Sequence, residues 1–126
     1  MSPRPDDVLL IEDDPDFRGL VASLLRGAGL NVREAETAEA GLAAFAAARP
    51  GLVLLDLNLP DGDGLSVCQT MRKTAPAGTL PILLCSVRSS IVGVGTALAA
   101  GADAYILKPY DEDELLARVK AALGRA

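Results

Sequence analysis

Aromatic residues are nearly absent: the 126-residue chain holds two Phe, two Tyr and no Trp. Half the residues are nonetheless hydrophobic, so the core must be built from Ala, Leu, Val and Ile. Histidine is missing, which removes imidazole from any metal site. Only two cysteines occur, Cys68 and Cys85. Neither fits a metal spacing or a CxxC pair, and both lie in apolar segments, so they read as reduced core residues. Basic clusters are lacking too: Lys and Arg are scattered singly in a chain of net charge −5. That argues against direct nucleic-acid binding, which needs a concentrated basic patch. No apolar run approaches the roughly 20 residues of a membrane span, and the opening "MSPRPDD" has no hydrophobic signal region. A cytoplasmic location without membrane contact is expected. The length leaves room for one domain, residues 1–126, which buries roughly two-thirds of its unfolded surface and needs no disulfide or metal staple.

What is present is an alternation of apolar runs with helical periodicity, five times over. "DVLLIED" (7–13) reads as a strand. Phe17, Leu20, Val21, Leu24 and Ala28 then recur at helical spacing from Pro15, with Gly29 as the stop, and Phe17, Leu20 and Leu24 are expected in the core. "NVREA" is a short strand, and a helix follows from Thr37 to Arg49. "LVLLD" is the third strand, and residues 64–73 form a helix turning Leu65, Cys68 and Met71 inward. "PILLCS" is the fourth strand. "RSSIVGVGTALAAGA" should be helical but is poor at it: Gly93 and Gly95 each cost about 1 kcal/mol relative to Ala, and Ile91, Val92 and Val94 are β-branched. "DAYILK" is the fifth strand, and "DEDELLARVKAAL" closes the chain as a helix with a capping box of Asp111 and Glu114. Five such βα units imply a parallel sheet with helices on both faces.

Ligands of open parallel sheets bind at the carboxyl ends of the strands, beside the point where strand order reverses. The first strand ends in Glu12, Asp13 and Asp14, the third in Asp56, the fourth in Ser86, and the fifth in Lys108 followed by Pro109. Any one of these is unremarkable as a solvated strand terminus; four at one edge are not. If the first and third strands are neighbours, Glu12, Asp13 and Asp56 converge, and like charges that close force one carboxyl to keep a proton. A divalent cation removes the conflict. Oxygen ligands without His or Cys favour Mg²⁺. An ionised Asp, Mg²⁺, a Lys and a hydroxyl are the parts of a phosphoryl-transfer site, where catalysis is positioning and charge neutralisation. Asp56, carried by "LVLLDLNLPDGDG", then reads as the nucleophile.

The acidic "EDD" after strand one, "LLDLNLPDGDG", "CS" after strand four and "YILKPY" occur in an order and spacing that closely resemble the receiver domain of bacterial two-component response regulators, over essentially the whole chain. The resemblance implies a (βα)5 doubly wound, flavodoxin-like fold with a five-stranded parallel sheet of strand order 2-1-3-4-5. It implies that Asp56 accepts a phosphoryl group from a phosphohistidine on a sensor histidine kinase or histidine phosphotransfer protein. Asp13 and Asp56 would ligate Mg²⁺ through side chains, Asn58 through its backbone carbonyl, and Glu12 mainly through a metal-bound water. Ser86 would hydrogen-bond one phosphoryl oxygen and Lys108 pair with another. Ser86 and Tyr105 would be the switch pair, and the Lys108–Pro109 bond would be cis. Output would be a population shift at the surface of the fourth helix, fifth strand and fifth helix. Such a protein is no enzyme beyond its own phosphorylation and slow dephosphorylation.

Several positions depart from the family's commoner pattern. Ser86 replaces Thr, and Val87 stands where Ala or Gly is usual. Arg88 and Asn58 occupy positions that tune dephosphorylation in the family. Glu114 and Arg118 keep half of the charged pairing through which winged-helix regulators dimerise, but Val94 and Ala104 replace a base and a second acid. The helix of Gly93 and Gly95 is expected to be the mobile output element. "DLNLPDGDG" fails as a calcium loop, because Pro60 holds the fifth position and glycine comes at the seventh rather than the sixth. Asp61 and Asp63 read instead as turn formers beside Gly62 and Gly64. Two other function classes stay open: a pseudo-receiver that binds protein without phosphate, and a doubly wound enzyme. The first is countered by the complete set of side chains. The second is countered by the missing glycine-rich phosphate loop and the lack of an Asp two residues after Asp56. Downstream, an unknown protein partner or an effector domain outside these residues would carry the output.

Overall fold

The computed structural model describes residues 4–87, 94–108 and 111–124. Its elements in chain order are β1 (Arg4–Ile11), α1 (Pro15–Gly27), β2 (Asn31–Ala35), α2 (Ala38–Ala47), β3 (Pro50–Asp56), β4 (Asn58–Leu59), β5 (Gly62–Asp63), α3 (Gly64–Arg72), β6 (Ile82–Val87), α4 (Val94–Ala99), β7 (Ala104–Lys108) and α5 (Glu112–Ala122). β4 and β5 make a two-residue hairpin; the other five strands form one sheet in the order β2-β1-β3-β6-β7, with every pairing parallel. Counting only the strands of that sheet, the order is the expected 2-1-3-4-5. β1 and β3 are neighbours, in register Ile11↔Leu55.

Both faces of this sheet are covered, which is why its strands read as unbroken apolar runs rather than alternating ones. Leu9, Ile11, Val53, Leu55, Ile82 and Leu84 point to the face packed by Ala38 of α2, Val67, Cys68 and Met71 of α3, and Ala97 of α4. The alternate residues Val8, Leu10, Leu52, Leu54, Leu83, Cys85 and Ile106 meet Val21 and Leu25 of α1 and Leu115 and Val119 of α5. Both cysteines are free and buried, as their apolar surroundings predict.

Two helical expectations are corrected. In α1 the buried residues are Val21, Ala22 and Leu25, whereas Leu20 is 52% exposed and Phe17 and Leu24 are only partly buried. The helix is rolled by its arginines: Arg18 Nη1 donates to the Glu12 carbonyl at 2.8 Å, and Arg26 Nη2 to the Val32 carbonyl at 2.8 Å. Both also pair with Glu34 of β2. Leu20, roughly 160° around the helix from Ala22, is thereby turned to solvent. At α5, Asp111 does hold the N-cap position, but its side chain accepts no capping hydrogen bond, so the expected box is not closed. Glu112, Asp113 and Glu114 instead place negative charge in the first turn, where the helix dipole favours it. The first half of the glycine-rich fourth helix, including Gly93, lies outside the described residues.

Candidate functional site

β1 and β3 deliver their terminal acids to one point. The carboxylate oxygens of Glu12, Asp13 and Asp56 lie within 4.8 Å of one another; Glu12 and Asp56 are buried and Asp13 is exposed. Lys108, at the end of β7, hydrogen-bonds Glu12 Oε1 and stands 3.5 Å from Asp56 Oδ1. Its ammonium also lies 4.6 Å from the centre of the Phe17 ring. Ser86 is fully buried near the end of β6, and Tyr105 on β7 is buried in the core beneath α4. The Asn58 backbone N–H faces Asp56 Oδ1 at 3.4 Å. The ends of β1, β3 and β7 therefore meet, and Ser86 lies one residue beyond Cys85, the register partner of Asp56. Pro109 and Arg88 lie outside the described residues.

One lysine does not balance three carboxylates. Burial pushes Asp56 up to about 7, against the pull of Lys108 and with a further push from Glu12. Burial draws Lys108 down, but its bond to Glu12 and the charges of Asp56 and Glu12 outweigh this and raise it. Burial likewise pushes the adjoining Cys85 thiol up to about 12, so it stays a neutral core group. An all-oxygen donor set with excess negative charge at the mouth of a sheet fits a hard divalent cation.

The segment after Asp56 is tied down on three sides. Leu57 N–H donates to the Cys85 carbonyl at 2.8 Å, and Gly64 N–H to the Leu57 carbonyl at 2.7 Å. A Cβ at Gly64 would lie 2.6 Å from the Asp56 carbonyl oxygen, so only glycine lets α3 start this close to the acid. Asp63 caps α3 through Ser66 N–H at 2.8 Å, and Asp14 caps α1 through Asp16 N–H at 3.0 Å. Asp61 accepts from Ala38 N–H at 2.7 Å and Glu39 N–H at 3.0 Å, at the start of α2. Those two donors, Glu39 first, hold its carboxyl below the usual carboxylate range. These three aspartates are more than turn formers or strand-end acids. Asp14 before Pro15, and Asp63 just before an apolar-periodic run, carry readable cap signals. Asp61 carries none, since its helix is more than 20 residues upstream.

The family model for the response regulator receiver domain matches residues 8–120. The chain belongs to that family. As a receiver domain of the two-component response regulators it has the role of a phosphoacceptor switch, and its relatives are regulators rather than classical enzymes. It is 40% identical over 119 residues to the KDP operon transcriptional regulatory protein KdpE of Escherichia coli, covering 94% of this chain and 52% of that protein. Among solved structures, the CheY-like receiver domain protein of Methanospirillum hungatei superposes with a TM-score of 0.87 at 30% identity, over 94% of each chain. The receiver domain of NtrX from Brucella abortus gives 0.86 at 34% identity, covering 95% of this chain and all of that one. This receiver spans about half the length of the curated relatives it matches. No helix among its described residues is long and apolar enough to cross a membrane.

Proposed function

We propose that Asp56 is the phosphoacceptor of this receiver and that a sensor histidine kinase or a histidine phosphotransfer protein is its donor. The observation that carries the reading is the buried Asp56 carboxylate, held at the sheet mouth with Lys108 Nζ 3.5 Å away and two further carboxylates alongside. In the transfer, an Asp56 oxygen attacks phosphorus, the P–N bond to the donor imidazole breaks, and the leaving imidazole nitrogen keeps the electron pair and takes a proton. Mg²⁺, held by Glu12, Asp13, Asp56 and the Asn58 carbonyl, would supply the positive charge that keeps Asp56 ionised and offsets the phosphoryl oxygens.

The chain's own residues do the rest. Lys108, bonded to Glu12 in this state, is close enough to redirect its ammonium to a phosphoryl oxygen. The buried Ser86 hydroxyl donates to another, and Tyr105 follows it as the switch aromatic. The surface that changes is that of α4, β7 and α5, where Leu98 and Leu107 are exposed. Residues 1–126 act as one receiver domain, with no direct nucleic-acid or membrane contact of its own; the output goes to a protein partner or to an effector domain. The reaction is self-catalysed phosphorylation, reversed by slow autodephosphorylation, and the site of action is cytoplasmic. Incubation with Mg²⁺ and acetyl phosphate should add one phosphoryl group to the intact mass, and none to Asp56→Asn. A folded parent that gains no mass contradicts the reading.

A further inference from the structure

The first turn of α2 leaves three backbone donors that the helix itself cannot satisfy, those of Ala38, Glu39 and Ala40. Thr37 Oγ1 takes Ala40 N–H at 3.0 Å. Asp61 takes the other two, one on each carboxylate oxygen. Asp61 is exposed and sits at the tip of the hairpin of β4 and β5, in which Asn58 pairs with Asp63 and Leu59 with Gly62. Gly62 also approaches α2, since a Cβ there would stand 3.7 Å from Ala38 Cβ. The base of the hairpin is anchored to the sheet through Leu57 and to α3 through Asp63 and Gly64. Leu59 of the hairpin packs against the core, and Asp61 adds the hydrogen-bonded tie at its tip. A loop that loses this tie can tilt, and a tilt moves the Asn58 carbonyl.

We infer that Asp61 is a positioning residue: by clamping the hairpin to the start of α2, it fixes the Asn58 carbonyl for the divalent cation without touching the ion. The inference rests on the reading of Glu12, Asp13, Asp56 and Asn58 as a Mg²⁺ site. Asp61 binds backbone donors of α2 and is not one of the three carboxylates that converge, so it acts through the loop and not as a ligand. Outer partners that orient metal ligands typically cost 10–100-fold in affinity when removed, and Asp61→Ala is expected to weaken Mg²⁺ binding by about tenfold, the lower end.

The test is calorimetric titration of Mg²⁺ into the intact protein, with urea unfolding in EDTA as a separate measure of stability. The parent binds and Asp13→Asn does not. Asp61→Ala binds more weakly, and Asp61→Asn, which keeps one acceptor oxygen, falls between it and the parent. Thr37→Ala removes the other cap of the same helix end without touching the loop. It is expected to lower urea stability while leaving Mg²⁺ affinity at the parent value. Parent-like affinity in Asp61→Ala, or an equal loss in Thr37→Ala, overturns the inference while the site reading stands. Should Asp61→Ala fail to fold, Asp61→Asn decides: weaker than the parent supports the inference, equal to it overturns it. A parent that binds no Mg²⁺, or binds it unchanged after Asp13→Asn, removes the site reading and the inference together.

Discussion

Asp56 concentrates the cost of the site in one residue. Without a cation its carboxyl holds a proton up to about pH 7, because burial disfavours the charged form. The native state then binds more protons than the unfolded chain between its ordinary pKa of 3.8 and about 7. A pKa raised in this way contributes stability that is fully present below the unfolded value and lost as pH rises through the folded one. In EDTA, stability should therefore fall from about pH 5 to about pH 8, and Asp56→Asn should remove that part of the slope. Urea midpoints for both proteins at the two pH values check this: the gap in favour of Asn widens with pH. A gap that stays constant or narrows contradicts the assigned shift. Mg²⁺ should flatten the parent's slope, since its charge favours ionised Asp56.

Among the elements, α3 and α4 differ in how firmly they are held. Arg72, at the end of α3, donates to the carbonyls of Gly101 at 2.8 Å, Leu80 at 2.7 Å and Ala75 at 3.1 Å, and pairs with Asp103 at 2.9 Å. Asp103 in turn accepts from Ile82 N–H at 2.8 Å. One side chain thus ties the end of α3 to the starts of β6 and β7 and to the turn after α4. Arg72→Ala leaves those carbonyls without their donor and should cost roughly 2–4 kcal/mol in chemical denaturation. A loss below about 0.5 kcal/mol, the range of ordinary surface substitutions, contradicts the clamp. The described part of α4 carries Gly95 and buries Ala97, whereas α5 buries Leu115 and Val119. Amides of α4 should exchange faster than those of α5 before phosphorylation and change most after it. Equal protection of the two helices in both states would remove α4 from the output.

Across the whole molecule, what could be read in advance depends on where each contact comes from. The sheet was legible because runs such as Val8–Ile11 and Leu52–Leu55 are buried on both faces, leaving a local apolar signal that no context overrides. The convergence of Glu12, Asp13, Asp56 and Lys108 was legible because parallel strands bring their carboxyl ends to one edge. The roll of α1 was not, because it depends on Arg18 and Arg26 finding Glu34 on another strand. Asp61 was hidden for the same reason: its partners are set by topology and not by spacing.

The proposed phosphoryl acceptor at this convergence is Asp56. Borohydride reduction after incubation with Mg²⁺ and acetyl phosphate, followed by peptide mass spectrometry, tests it at the atom concerned. An acyl phosphate on Asp56 is reduced to homoserine, so position 56 alone should carry that change, and only after exposure to the donor. An unreduced Asp56 in folded protein, or modification at Asp13 or Ser86 instead, would contradict the account.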